Sequence, residues 1–261
     1  MPSGTAVPYA NGGLSWDTTR VASGALYRIR ISCNEAPSVT DASQENFTIH
    51  NAALVYYVND SSQTDDIYCT AIGCDSNDGL TPGTPKATVQ AIIDTYNLEP
   101  GDIVYVDTGA YALTSNITIN AADEGSSSAP VNFIGSTNSI GTVLDRNAAT
   151  TTTSRAFEAS GICIRLERIR AQRGYYGIMA TGAGCQVLQC EAYECGNTGI
   201  YSSGWGTVVA NCLVHDTTGT GIACCSGVSA TGNKVYNCTG QGIYAYANMA
   251  AVTLTNNVSA K

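Results

Sequence analysis

The sequence predicts an all-β protein: a right-handed parallel β-helix (solenoid) with a short N-terminal capping helix, preceded by a partial β-sandwich module. Three observations carry this. Gly-Ile recurs at Gly177-Ile178, Gly199-Ile200, Gly221-Ile222 and Gly242-Ile243, with spacings of 22, 22 and 21 residues. Charged residues are only 13% of the 261 while Gly numbers 27, which disfavours long exposed helices and favours short strands joined by tight turns. Residues 1–52 lack the period and read as a separate module.

A period near 22 with alternating apolar positions and Gly-rich corners is what one coil of a β-solenoid requires, each coil stacking about 4.8 Å above the last. Leucine-rich repeats share the length but need a Leu framework that this chain lacks. Stacking predicts inward columns: Ile178-Ile200-Ile222-Ile243, and two residues on Ala180-Ser202-Cys224-Ala245. A third column, Cys190-Cys212-Asn233, suits a bend, where small side chains stack and an Asn can bond backbone. The preceding coil fits with a one-residue slip that turns Leu166, Ile169 and Ala171 inward.

Upstream, residues 84–96 read as a helix that closes the open end of the solenoid. Thr84 is placed as its N-cap and Pro85 in the first turn, with Val89, Ile92, Ile93 and Tyr96 as the apolar stripe. Ile103 to Val106, Asn116 to Ile119, Val131 to Ile134 and Thr142 to Leu144 read as strands. Dividing 101–261 by the period gives about seven coils. In the N-terminal module, Tyr27 to Ile31 alternates as a half-exposed antiparallel strand does, and Asn46 to Ile49 reads as a last strand.

Two resemblances follow from these segments. Tyr56-Tyr-Val-Asn59, Asp75-Ser-Asn-Asp-Gly79, Thr84-Pro-Lys-Ala-Thr88, Pro100-Gly-Asp102, Val104-Tyr-Val106 and Gly109-Ala-Tyr111 resemble the N-terminal cap and first coil of bacterial right-handed β-helix proteins, including alginate-lyase and chondroitinase-B-type polysaccharide lyases. The Gly-Ile coils resemble repeats of the same superfamily. The resemblance implies the fold, with a cap over 53–100 and coils over 101–261; for activity it implies little, because many non-catalytic surface proteins share it. Residues 13–49, with Trp16-Asp-Thr-Thr19, Gly24, Tyr27-Arg-Ile-Arg-Ile31 and Phe47-Thr-Ile49, resemble the C-terminal half of an immunoglobulin-like module from large bacterial extracellular proteins. On this reading the chain is a fragment of a modular protein, truncated in mid-coil at its C-terminus.

The net charge of −9 and only three lysines argue against nucleic acid or an anionic membrane as partner. No stretch has the apolar length of a membrane span. An extracellular or cell-surface location and a monomer are expected, with a polysaccharide or cell-surface glycan as partner. The sequons at Asn46, Asn59, Asn116, Asn237 and Asn257 are acceptors only in a glycosylating host.

Stacking the coils brings Tyr193, His215 and Tyr236 into one outward column beside Glu191, Glu194 and Asp216. Aromatic rings next to carboxylates are what sugar rings stack and hydrogen-bond on, and paired acids serve glycoside hydrolysis; outward aromatics also stabilise a sheet by cross-strand contact alone. Arg165, Arg168, Arg170 and Arg173 form the one basic cluster, which either meets a polyuronate or forms an inter-coil ion ladder with Glu167, Glu191 and Glu194. The lyases this chain resembles use a Lys and Arg pair; Lys234 is the only lysine between residue 87 and Lys261, and no motif fixes an Arg opposite it. Asp75, Asn77 and Asp78 put oxygen ligands at short spacing, so Ca2+ or an ordinary Asx/Gly turn fits there. With eleven cysteines at least one is unpaired within the chain; a Cys69–Cys74 disulfide is the candidate pairing, and Cys190 over Cys212 comes near disulfide spacing. Three functions stand from sequence: a glycan-binding solenoid face, a polysaccharide lyase or glycoside hydrolase, and a structural spacer.

Overall fold

The computed structural model describes residues 24–33, 35–49, 52–246 and 250–260. The chain divides into two compact units, 1–53 and 54–261. In the first, the described residues form two antiparallel ribbons, Gly24–Tyr27 with Phe47–Ile49 and Arg30–Ser32 with Thr40–Ala42. The expected continuous strand from Tyr27 is broken at residues 28–29, and Arg30–Ser32 is exposed throughout rather than half-buried. Tyr27 and Phe47 rings pack 6.1 Å apart across the first ribbon. Trp16 to Thr19 lie outside the described residues.

The second unit is a right-handed parallel β-helix. Three parallel sheets run along it. Sheet I takes one strand per coil from Val55–Val58 through Ile103–Val106, Val131–Gly135, Ile164–Glu167, Gln186–Leu188, Val208–Ala210 and Ser229–Thr231 to Thr253–Thr255. Sheet II runs from Gly109–Ala112 to Val258–Ser259, and sheet III from Ile117–Ile119 to Ile243–Tyr246. Among the described residues six coils carry all three strands and a seventh carries two, close to the number the period predicts.

The register matches the predicted columns. Ile178, Ile200, Ile222 and Ile243 pair in sequence on sheet III, as do Ala180, Ser202, Cys224 and Ala245. Phe157 and Ile117 extend the isoleucine column toward the cap. Leu166, Ile169 and Ala171 are buried, so the slip in that coil holds. Burying a large aliphatic side chain contributes about 1.5–3 kcal/mol, and the columns repeat that gain in every coil. At the bend between sheets I and II the Asn233 side chain accepts from the Cys212 N–H and donates to the Val209 carbonyl, both at 2.9 Å. Asn257 repeats this one coil on, donating to the Ala230 carbonyl at 2.9 Å. Each bend is made by a single residue with positive φ: Arg168, Gln189, Asn211 and Gly232 in successive coils.

The capping helix spans Val89–Thr95, later than predicted. Thr88, not Thr84, is the N-cap, its hydroxyl accepting from the Ala91 N–H. The reason is local: Asp75 Oδ1 accepts the N–H groups of Ala87 and Thr88, and residue 86 bridges Val58, so 84–88 are held extended. Val89, Ile92 and Ile93 are buried, and Tyr96 packs on Tyr56 at 4.8 Å. No helix among the described residues is long and apolar enough to cross a membrane.

Candidate functional site

On sheet II, residues alternate inward and outward, so every second side chain faces solvent. Register places Arg170, Glu191, Leu213 and Lys234 in one outward column and Gln172, Tyr193, His215 and Tyr236 in the next. The structure therefore assembles Tyr193, His215 and Tyr236 as the sequence predicted. Their rings lie within 6° of parallel, with centroids 5.3 and 5.0 Å apart. Parallel rings one coil apart cover each other's faces; both faces of His215 are taken by tyrosines. Tyr236, at the end of the stack, stays 43% exposed, so a sugar would meet the strip there and not at His215.

The carboxylates are occupied in the same way. His215 Nε2 lies 2.9 Å from Glu191 Oε1, and its Nδ1 2.6 Å from Asp216 Oδ2. Glu191 also pairs with Arg170 at 3.1 Å, and Asp216 accepts from Asn237. Burial disfavours the imidazolium, but the hydrogen bonds and charges of Asp216 and Glu191 outweigh it and hold His215 above its ordinary pKa. The His215 and Asn237 hydrogen bonds hold Asp216 below the usual carboxylate range. Burial, then the Glu191 charge, raises Tyr193. Glu194 stands exposed at a corner of positive φ. Glu191 and Asp216 thus hold His215 between them.

The basic cluster is a set of ion pairs, with two of the three predicted acids, Glu167 and Glu191, as partners and Asp145 in place of Glu194. Glu167 takes both Arg165 and Arg168, Glu191 takes Arg170, and Arg173 pairs with Asp145 rather than Glu194. Lys234 shares a column with Arg170 but stands three coils away, about 14 Å at one strand spacing per coil.

The cap loop does not fit calcium. Asp75 Oδ1 is used by the Ala87 and Thr88 N–H groups, Asp78 Oδ1 by Thr84 and the Leu80 N–H, and the Asn77 amide by the Pro85 carbonyl. The buried Lys86 ammonium sits on the carbonyls of Asp75 and Asn77 at 2.9 and 2.8 Å, where a cation would bind. Cys69 and Cys74 are not joined. Cys69 is buried, its thiol donating to the Val58 carbonyl at 3.7 Å, while Cys74 is exposed against the Ser76 hydroxyl. Cys190 and Cys212 are likewise free thiols, bonded to the carbonyls of Leu188 and Val187.

Sheet III carries an aromatic surface that the sequence reading missed. The residue after each repeat isoleucine faces outward, giving the column Glu158, Met179, Tyr201, Ala223, Tyr244. Ala223 faces out yet is only 9% exposed. The Tyr201 hydroxyl accepts from Cys225 Sγ at 3.6 Å, one coil up and two residues along, which carries the half-buried Tyr201 side chain past Ala223. Tyr176 stands beside it at 70° with centroids 6.0 Å apart, and Arg155 backs Tyr176 at 5.5 Å from the ring centre. Beyond Ala223, Tyr244 is 42% exposed and lies 6.5 Å from Tyr246. The result is an aromatic floor with an aromatic wall, and the ion pair of Arg155 with Glu158 leaves it without net charge. The sequence signal was present at the position after each Gly-Ile, but Met179 and Ala223 interrupt the tyrosines there.

Comparison with known proteins fits this architecture. Residues 101–259 match a family model described as right handed beta helix region. No curated protein matches the chain. Among solved structures it is similar to the pectate lyase Pel9A, with a TM-score of 0.60 and 15% identity over 78% of this chain and 54% of that one. A rhamnogalacturonan lyase gives a TM-score of 0.49 and 15% identity, covering 79% and 68% of the two chains. The alginate lyase from Paenibacillus sp. str. FPU-7 gives 0.40 and 15%, covering 66% and 72%. The chain spans about half the length of the pectate lyase, and at this identity the likeness is one of fold.

Proposed function

The chain belongs to the right-handed β-helix family, and on that premise we propose that it is a glycan-binding module of an extracellular protein, taking a pyranose ring on the Tyr201 surface of sheet III. One observation carries this reading: the Tyr201 hydroxyl meets Cys225 one coil on, past the small Ala223, and Tyr176 stands at 70° beside the Tyr201 ring. A flat aromatic floor accepts the C–H face of a sugar, and an upright neighbour bounds it, while tyrosine hydroxyls supply polar contact at the edge. The lack of net charge suits an uncharged sugar.

The cysteines are compatible with an oxidising location. The thiolate is the reactive form, and burial pushes Cys185 up to about 11 and Cys195, Cys212 and Cys224 up to about 12. These thiols serve as small core residues. Lys234 and Arg170 stand about 14 Å apart at one strand spacing per coil, too far to act together on one sugar, and no catalytic step is assigned.

Binding to a glycan array tests the proposal. Tyr201→Ala is expected to weaken binding at least about tenfold, the scale of one aromatic contact, while Tyr193→Ala and Tyr236→Ala leave it within about twofold. Equal binding by Tyr201→Ala and the parent chain would remove the reading.

A further inference from the structure

The bend between sheets I and II is the one corner of each coil that sheet III does not border, and it holds an open cleft of about 400 Å³. Its floor is the corner column Arg168, Gln189 and Asn211, and Arg170 and Glu191 line the sheet II side. Its wall is the loop 136–141. That wall is fixed from within: Asn138 Oδ1 accepts from the Ile140 N–H at 3.1 Å, and Ser136 Oγ from the Asn138 N–H at 3.0 Å. It is fixed from below by Arg170, which donates to the carbonyls of Ile140 and Ser139 at 2.9 and 3.0 Å. The cleft is therefore preformed.

The charges that line it are already met. Arg168 is paired with Glu167 and Arg170 with Glu191, so an anion finds no unmatched cation. What remains are hydrogen-bonding groups used only in part: the guanidinium N–H groups that point away from these partners, and the carboxamides of Gln189 and Asn211, one coil apart. The carboxamides each offer a donor and an acceptor, spaced by about one strand separation, 4.8 Å. Arg168 and Gln189 hold φ of 56° and 53°, a conformation shared by corner residues throughout the solenoid, Arg173, Glu194 and Asp216 at the other end of sheet II among them, so the bend itself sets their backbone.

We propose that this cleft is a second binding site, for an uncharged oligosaccharide lying along the solenoid axis. Vicinal hydroxyls, each donor and acceptor at once, match paired carboxamides and guanidinium edges better than a peptide or an anion does. The inference takes only its ligand class from the Tyr201 reading. With one site at this bend and one on the face of sheet III, the module holds two glycan chains together.

The test titrates the full chain with cellohexaose, xylohexaose and β-1,4-galactohexaose in separate calorimetric runs, repeated with Tyr201→Ala and with the double variant Gln189→Gly/Asn211→Gly. Glycine suits positive φ, so the double variant removes the amides while preserving the bend; circular dichroism checks that it folds. Two sugars bound per chain, falling to one in each variant, is the expected result, with the affected site weakened at least about tenfold. A single site abolished by the double variant alone supports the cleft and removes the Tyr201 reading. A single site abolished by Tyr201→Ala alone overturns the cleft and leaves that reading intact. Absence of binding to all three sugars overturns the cleft as well.

Discussion

Sheets II and III carry aromatic residues outward on the same repeat, yet the two faces are opposites. On sheet II, Tyr193, His215 and Tyr236 occupy one position in three consecutive coils, and their rings close on one another. On sheet III, Tyr201 is followed one coil on by Ala223, and its hydroxyl reaches past that small residue to Cys225. In a parallel solenoid an unbroken aromatic column covers the rings inside it and leaves those at its ends exposed, as Tyr236 is at 43%. An interrupted one leaves surface for a ligand.

Several substitutions break or sharpen this contrast. The largest expected effect is on the core beneath sheet III: Ile200→Ala should cost about 3 kcal/mol, because Ile200 is fully buried between Ile178 and Ile222, read as a loss of chemical-denaturation midpoint. If the cost were below about 1 kcal/mol, the column would not be the close-packed element described. Next, Ala223→Tyr fills the gap between Tyr201 and Tyr244 and should convert the open face into a covered stack. Glycan binding should then fall at least about tenfold, about 1.4 kcal/mol, with folding retained; unchanged binding would show that the gap is not what exposes Tyr201.

A smaller effect of opposite sign is expected at Ser202. Its hydroxyl is fully buried in the inward column and makes no hydrogen bond, so Ser202→Ala should stabilise by about 1 kcal/mol; destabilisation would mean the hydroxyl has a partner. The smallest effect belongs to the sheet II strip. His215 has a folded pKa raised above 6.5, so its contribution is full below that value and is lost as pH rises through the raised one. Above it, the ring keeps one N–H for two carboxylates. Thermal stability of the parent chain should fall modestly over that range, and His215→Gln should flatten the profile; parallel profiles would show that the imidazole titration does not support the strip.

Much of this was legible in the sequence. The period of about 22, Gly-Ile at each coil and the small residues at the Cys190, Cys212 and Asn233 bend determined the coil, its register and which side chains face in, because strand alternation and stacking leave no freedom once the period is set. The sequence also placed Tyr193, His215 and Tyr236 in one column. It did not give the start of the capping helix, where Asp75 reaches across from another loop to hold residues 87 and 88, nor the fate of the Asp75 to Asp78 loop, where Lys86 folds back onto the carbonyls of Asp75 and Asn77. Least of all did it give the ring orientations. Those depend on side-chain torsions and on what stands one coil above, a tyrosine that closes the stack or an alanine that leaves it open, and such neighbours exist only once the coils are stacked.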